Sequence, residues 1–343
     1  MPIVFLHPCI PDYAGDGLFH GLRTILGEGV VDFPRMDYMY SDYPAEKWKG
    51  VANEGKILYG LLDDNDTLCN LRARIDDVIR AADAIVISQP NGFRQALSPI
   101  MQRIKRGGAE KKIVWIDGSD GPLVFPFHSF RKTIRELAPA LLWPMSRWLY
   151  FKREYAGKEA MAPFPISHLL RNYRMYPLSI SIPEHHISEI PFFEKSKDFP
   201  DYLVDEELAA LLGVHHGVLG KHSFIFKDES SYLADVAASR YGITTRRSGW
   251  DALRHYEYAA KGAILCFRHL DKKPAAAAPF GLNETNCIVY DHARDLLKKI
   301  KSLSSEEMTR LSENSLLWAK DHTTVAEAGR FLKVVSEEQL FLP

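Results

Sequence analysis

Short runs of unbroken apolar residues alternate with stretches whose apolar residues recur every three or four positions. Ile3–Leu6, Val30–Phe33, Ala84–Ser88 and Lys112–Asp117 are of the first kind and predict buried strands. Gly17–Leu26, with Leu18, Leu22, Ile25 and Leu26 on one stripe, is of the second kind and predicts a helix. Leu71–Ala81 (inner face Leu71, Ile75, Val78 and Ile79) and Ala96–Arg106 read the same way. Strands separated by helices of about 10–15 residues predict βαβ units and a parallel sheet. Trp143–Ile190 breaks the pattern. It is rich in Tyr, Pro, Arg and His and reads as a crossing between domains, with Leu178–Ile182 a candidate strand of its own. Beyond it, Glu206–Leu212 and Tyr232–Arg240 predict helices, and His222–Phe226, Ala263–Phe267 and Cys287–Tyr290 predict strands. Three helices close the chain: Ala293–Leu303, Ser304–Asp321 and Thr323–Ser336, the second started by Ser304 before Glu306-Glu307. The expected architecture is two doubly wound α/β domains facing a cleft at the carboxyl ends of their strands.

The length of 343 residues agrees with two domains at about 150 residues each. Lys plus Arg total 43 against 44 for Asp plus Glu, a net charge of −1, so no whole-chain basic footprint for nucleic acid exists. Cys9, Cys69, Cys266 and Cys287 are far apart in sequence, which excludes a Cys-x-x-Cys motif and points to a reducing, cytoplasmic setting. Cys266 sits in an apolar run and is expected in the core. The chain starts on a strand pattern without a basic segment, which does not read as a signal peptide. No apolar run approaches the roughly 18–20 residues needed to span a membrane.

Three constellations carry candidate chemistry. In Gly242–Phe267, Ser248 followed by Asp251 is a capping-box pattern that predicts a helix from Gly249 to Lys261, with Gly262 as its left-handed stop. Arg246 and Arg247 then precede a helix N-terminus, where positive charge, free N–H groups and the helix dipole together suit a phosphate. Arg254 and Glu257 share a face three residues apart. One reading places a nucleoside diphosphate at the helix start with Glu257 on the ribose hydroxyls. The other is a solvated surface pair. Second, Gly15, Gly17 and Gly21 follow the first strand too late, and with the wrong last spacing, for a dinucleotide turn, which disfavours a Rossmann dehydrogenase. They suit a loop approaching a ligand across a cleft, with Asp16 as candidate base and His20 as hydrogen-bond partner, or else a plain capped helix. Third, Asp117 and Asp120 lie just past a strand, where they suit a hydroxylated acceptor or a metal, or simply close a turn. His185-His186 and His215-His216 lack a third ligand at a usable spacing, so no metal site is expected.

The segment from Glu257 to Leu265 resembles the Glu-Ala-Met-Ala-x-Gly-x-Pro-Val stretch of two-domain, GT-B type glycosyltransferases of group 1. Gly249–Glu257 is similar to the Arg-x-x-Glu helix of the CgeB-like glycosyltransferases, and His322-Thr-Thr resembles their closing His-Thr helix. The resemblance implies a hexosyltransferase-like enzyme using a nucleotide-sugar donor, an acceptor glycan or small molecule, and no further cofactor. It implies an acceptor-side domain at 1–170, a donor-side domain at 171–322, and a helix at 323–343 that returns to the first domain. Glu257 would hold the ribose. Ser248 and the backbone at Gly249 would face the sugar or diphosphate, and Gly15 and Gly17 would face the donor from the other domain. The chain departs from the family at Gly249, where many retaining members have Glu, and at Ile264, where Pro is usual. The family's early Arg–Lys pair has no match in Phe192–Asp205, and Arg246, Arg247 and Arg254 are the candidates to replace it. For an inverting reaction the base would be Asp16, then Asp117 or Asp120. Two alternatives stay open: a non-catalytic sugar- or nucleotide-binding protein on the same fold, and a sugar-nucleotide epimerase.

Overall fold

The computed structural model describes residues 1–44, 57–89, 97–108, 113–124, 148–156, 174–216, 226 and 228–339. The first half builds a six-stranded, all-parallel sheet in the order β2-β1-β3-β4-β5-β6. Its strands are β1 (Ile3–Leu6), β2 (Val30–Phe33), β3 (Ala84–Ser88), β4 (Ile113–Asp117), β5 (Leu149–Lys152) and β6 (Arg174–Pro177). Because side chains alternate across a strand, Ile3 and Phe5 pack on one face with α1 (Tyr13–Leu26). Val4 and Leu6 pack on the other with α2 (Asp66–Ala73), α3 (Ile75–Ala81) and α4 (Leu97–Arg106).

The second half carries a short pair, β7 (Tyr202–Leu203) with β8 (His215–His216), and a parallel three-stranded sheet. That sheet has the order β11-β10-β9, from β9 (Tyr241–Thr245), β10 (Ile264–Arg268) and β11 (Cys287–Tyr290). Its helices are α5 (Glu206–Leu212), α6 (Glu229–Ala238), α7 (Leu253–Ala260), α8 (Ala293–Ser302), α9 (Ser305–Lys320) and α10 (Thr324–Gln339). Ser304 and Glu307 form a reciprocal capping box at the start of α9. Cys266 is fully buried, and all four cysteines are free. The last helix, α10, lies against α1: its Thr324 carbonyl sits where a Cβ on Gly21 would go, and Phe331 packs on Phe151 with ring centroids 4.8 Å apart. One apolar cluster runs from the α1 face of the first sheet through Trp318 and Tyr256 to Phe267 of the second.

Four expectations are corrected. The helix of Leu71–Ala81 is two helices broken at Arg74, and the first starts early because the Asn65 carboxamide caps the Leu68 N–H at 3.0 Å. Trp143–Ile190 is not only a crossing, since it supplies β5 and β6. Leu178–Ile182 forms no sheet strand; Ile182 instead bridges to Thr323 at the foot of α10. Tyr241–Thr245 is a strand that the apolar pattern does not single out, its Gly242 and two threonines diluting the signal. All but Phe226 of the strand expected at His222–Phe226 lies outside the described residues.

Candidate nucleotide-sugar site

The loop from β9 into α7 is organised by buried polar contacts rather than by the expected cap. Ser248 is exposed and caps nothing; the residue before α7 is Ala252, which has no side-chain acceptor. Asp251 cannot complete a capping box because its carboxylate is already engaged, accepting the Ile180 N–H at 2.7 Å and the Tyr256 hydroxyl at 2.8 Å. Burial pushes this carboxyl up to about 7. His255 braces the loop from below, with one ring nitrogen on Thr244 and the other 2.9 Å from the Trp250 carbonyl. Burial holds that imidazole neutral, its pKa down at about 3. The result is a helix start without a side-chain cap, at which the His255 N–H is taken by the Ala252 carbonyl at 3.1 Å. Gly262 takes the left-handed conformation that the stop after α7 requires, with φ of 69°.

Three arginines surround this helix start. Arg246 is exposed and lies over the Trp250 ring, 5.2 Å from its centroid. Arg247 and Arg254 are each partly buried, and burial together with the charge of Arg254 lowers the Arg247 guanidinium below its ordinary value. Among the described residues, none of the three forms an ion pair with a carboxylate. The Nη1 of Arg254 is buried and has no hydrogen-bond partner. Glu257, one turn along α7, is also buried, and burial raises its carboxyl. One of its oxygens accepts the Tyr232 hydroxyl, at 2.5 Å. Glu257 is therefore not the solvated surface acid of the simpler reading.

The candidate residues of the first sheet behave differently. Asp16 is fully buried and accepts the Asp12 N–H at 2.8 Å and the Tyr38 hydroxyl at 3.1 Å, with His7 Nε2 3.4 Å away. Its carboxylate is thus engaged within the protein on both oxygens. His20 faces α10, with Nδ1 2.9 Å from the Thr324 hydroxyl. Gly15 and Gly17 let α1 close onto the Ser88 and Ser181 hydroxyls. Asp117 is buried against Lys152, 3.1 Å from its Nζ, and accepts the Ser119 hydroxyl at 2.7 Å. Burial lowers the Lys152 ammonium. Asp120 is more than half exposed and pairs with Arg153. The structure thus gathers Arg246, Arg247, Arg254, Gly249 and Glu257 at one point and leaves Asp16 and His20 sealed inside the α1 face.

Sequence reasoning missed Lys152, Arg153 and Glu154, which sit at the carboxyl end of β5, and Tyr232, which holds Glu257. The signal for the first three is present: Trp148-Leu-Tyr-Phe is an apolar run that ends in three consecutive charges.

No protein-family model matches the chain, and no curated protein does. Solved structures do. A UDP-glucose complex of HepE (Alr3699) from Anabaena aligns with TM-score 0.57 at 11% identity, over 98% of this chain and all of that one. A glycosyltransferase from Rickettsia africae aligns with TM-score 0.58 at 10% identity, covering 99% of each chain. A UDP-forming α,α-trehalose-phosphate synthase from Burkholderia vietnamiensis aligns with TM-score 0.50 at 12% identity, over 98% of this chain and 100% of that one. The chain has the two-unit α/β fold of the GT-B glycosyltransferases along its whole length.

Proposed function

We propose that this protein transfers a hexose from a nucleoside diphosphate sugar to a glycan or small-molecule acceptor. Residues 1–170 form the acceptor side, 171–322 the donor side, and 323–343 the returning helix. The observation that carries the reading is the buried, unpartnered Nη1 of Arg254 beside Arg247 at an uncapped helix start. Buried polar groups without partners are rare, and two neighbouring guanidiniums beside a single carboxylate, Glu257, suit an anion. A diphosphate at this point would relieve both. The oxygen of Glu257 not taken by Tyr232 would accept from a ribose hydroxyl. Catalysis would consist of positioning and of stabilising charge on the leaving diphosphate. Structural neighbours solved with UDP-glucose support the donor class. A cytoplasmic setting without nucleic-acid partners belongs to the same reading; Lys plus Arg and Asp plus Glu nearly balance, and no described helix is long and apolar enough to cross a membrane.

A thermal-shift screen of UDP, ADP, GDP and their sugars tests the assignment. The right donor should raise the midpoint by mass action. Arg254→Ala and Glu257→Ala should each abolish the rise. No shift with any donor, or an equal shift in both variants, overturns it.

One observation favours a second reading, a binding protein without turnover. Asp16 is sealed, Asp117 is held by Lys152, and position 249 offers no carboxylate. Release of free diphosphate from a bound donor separates the two readings.

A further inference from the structure

Arg153 and Glu154 follow β5 in the first sheet, yet their side chains end on the loop that leads into α7. Arg153 is 5% exposed and donates from all three nitrogens. Its Nε meets the Gly118 carbonyl at 2.8 Å, Nη1 meets the Asp251 carbonyl at 2.8 Å, and Nη2 pairs with Asp120. Glu154 is 4% exposed and accepts the Asp251 N–H at 3.1 Å. Two consecutive side chains from one sheet thus hold both main-chain polar groups of a single residue in the other. The glycine at 249 fits the same arrangement, because a Cβ there would overlap the Glu154 carboxylate.

We infer that Arg153 and Glu154 form a clasp that sets the donor loop 249–251 in register with the acceptor-side loop 118–120, making Arg153 a positioning residue for transfer. Its catalytic consequence rests on the donor reading above; the clasp itself does not. Arg153 touches neither Arg247, Arg254 nor Glu257, so nucleotide binding and alignment are separable. The planar fork of the buried guanidinium suits it to bridging: one arm is fixed on each loop, and the third donor ties the Gly118 turn. Lysine, a compact ammonium on a flexible stem, lacks the planar fork that reaches these separated acceptors in one fixed geometry.

The test measures amide exchange at 249–252, UDP affinity by calorimetry and kcat for the transfer on Arg153→Ala and Arg153→Lys, and amide exchange alone on Gly249→Ala. With the clasp broken, exchange at the Asp251 amide should rise about tenfold, as expected for a locally opened loop. UDP affinity of the Arg153 variants should fall by much less than kcat does, because Arg153 itself touches none of the side chains proposed to hold the nucleotide. The kcat should fall about a hundredfold, the cost of a misplacement near 1 Å. Gly249→Ala reaches the same state with Arg153 intact, by displacing Glu154, so it guards against a variant that merely folds badly. Glu154→Gln keeps an acceptor for the Asp251 N–H and should rescue most of the activity that Glu154→Ala loses. Unchanged exchange in both Arg153→Ala and Gly249→Ala overturns the clasp, and so does a kcat loss matched by an equal loss of UDP affinity. If the wild type binds no nucleoside diphosphate, the donor reading fails on its own, and the exchange measurement still decides the clasp.

Discussion

The chain contains two strand–loop–helix units that look alike in sequence and end in opposite electrostatic states. In β1–α1, the Asp12 side chain caps the Gly15 N–H at 3.1 Å, and the Asp16 carboxylate is met by a main-chain N–H and by a tyrosine hydroxyl. In β9–α7, no side chain caps the helix, and Arg254 is left with a buried donor and no acceptor. Both units carry glycines, charges and an apolar helix stripe. The first ties its two acids to main-chain and hydroxyl donors and packs beneath α10, although the Arg23 Nε on α1 is also buried without a partner. The second leaves positive charge unmatched at a point that faces the first sheet through the Arg153 contact. Where burial and charge coincide, the neighbouring charges, more than the residue type or a single unpaired atom, separate a binding site from a structural network.

The sharpest way to break this comparison is to strain the closed unit. A Cβ on Gly21 would meet the Thr324 backbone, which cannot yield as a side chain does. Gly21→Ala should cost about 3 kcal/mol of stability, toward the upper end for overpacking, as measured by denaturant unfolding. UDP affinity of the folded fraction should be unchanged. An equal loss of UDP affinity would show that α1 belongs to the site. The open unit should respond in reverse. Arg254→Ala should weaken UDP by about 1.5–3 kcal/mol, the range for hydrogen bonds to charged groups, as measured by calorimetry on the folded protein. A fall in stability without a change in UDP binding would make Arg254 structural.

How much of this is legible in the sequence follows from the same physics. The strands β1 to β4, β10 and β11, and most of the helices, are visible because burial imposes a period on their residues. The two-unit α/β fold follows from that alternation. Arg247, Arg254 and Glu257 are visible as a cluster because they are close in sequence, Arg247 in the loop before α7 and the other two on it. The capping box expected at Ser248 does not form, and the pattern cannot show why: the Asp251 carboxylate is claimed by Ile180, 71 residues away. Asp16 misleads for a related reason, since a glycine-flanked acid looks exposed until Tyr38 and His7 fold over it. Arg153 and Glu154 lie in a segment whose prolines and aromatics hide two strands. Contacts that join distant parts of the chain leave no period in it, and those contacts decide which charges are satisfied.

The smallest effect probes the sealed acid itself. Burial raises the Asp16 carboxyl well above its ordinary value, so the folded protein binds its proton more tightly than the unfolded chain does. Its stabilising contribution is therefore complete below about pH 4, the unfolded value, and is lost as pH rises toward the folded value. His7, 3.4 Å away, runs in the opposite sense: burial lowers it to about 3, so its contribution is present at neutral pH and is lost as pH falls from about 6.5 toward 3. Asp16→Asn keeps an oxygen for the Asp12 N–H, whose bond to the carboxylate measures 2.8 Å, and removes only the first titration. The variant should match the wild type near pH 4 and gain on it with rising pH, by at most about 1.4 kcal/mol per pH unit for one proton. The acid-side slope from His7 should remain, and kcat for the transfer should stay near the wild-type value. A collapse of kcat with folding intact would return Asp16 to the position of catalytic base and erase the distinction between the closed unit and the open one.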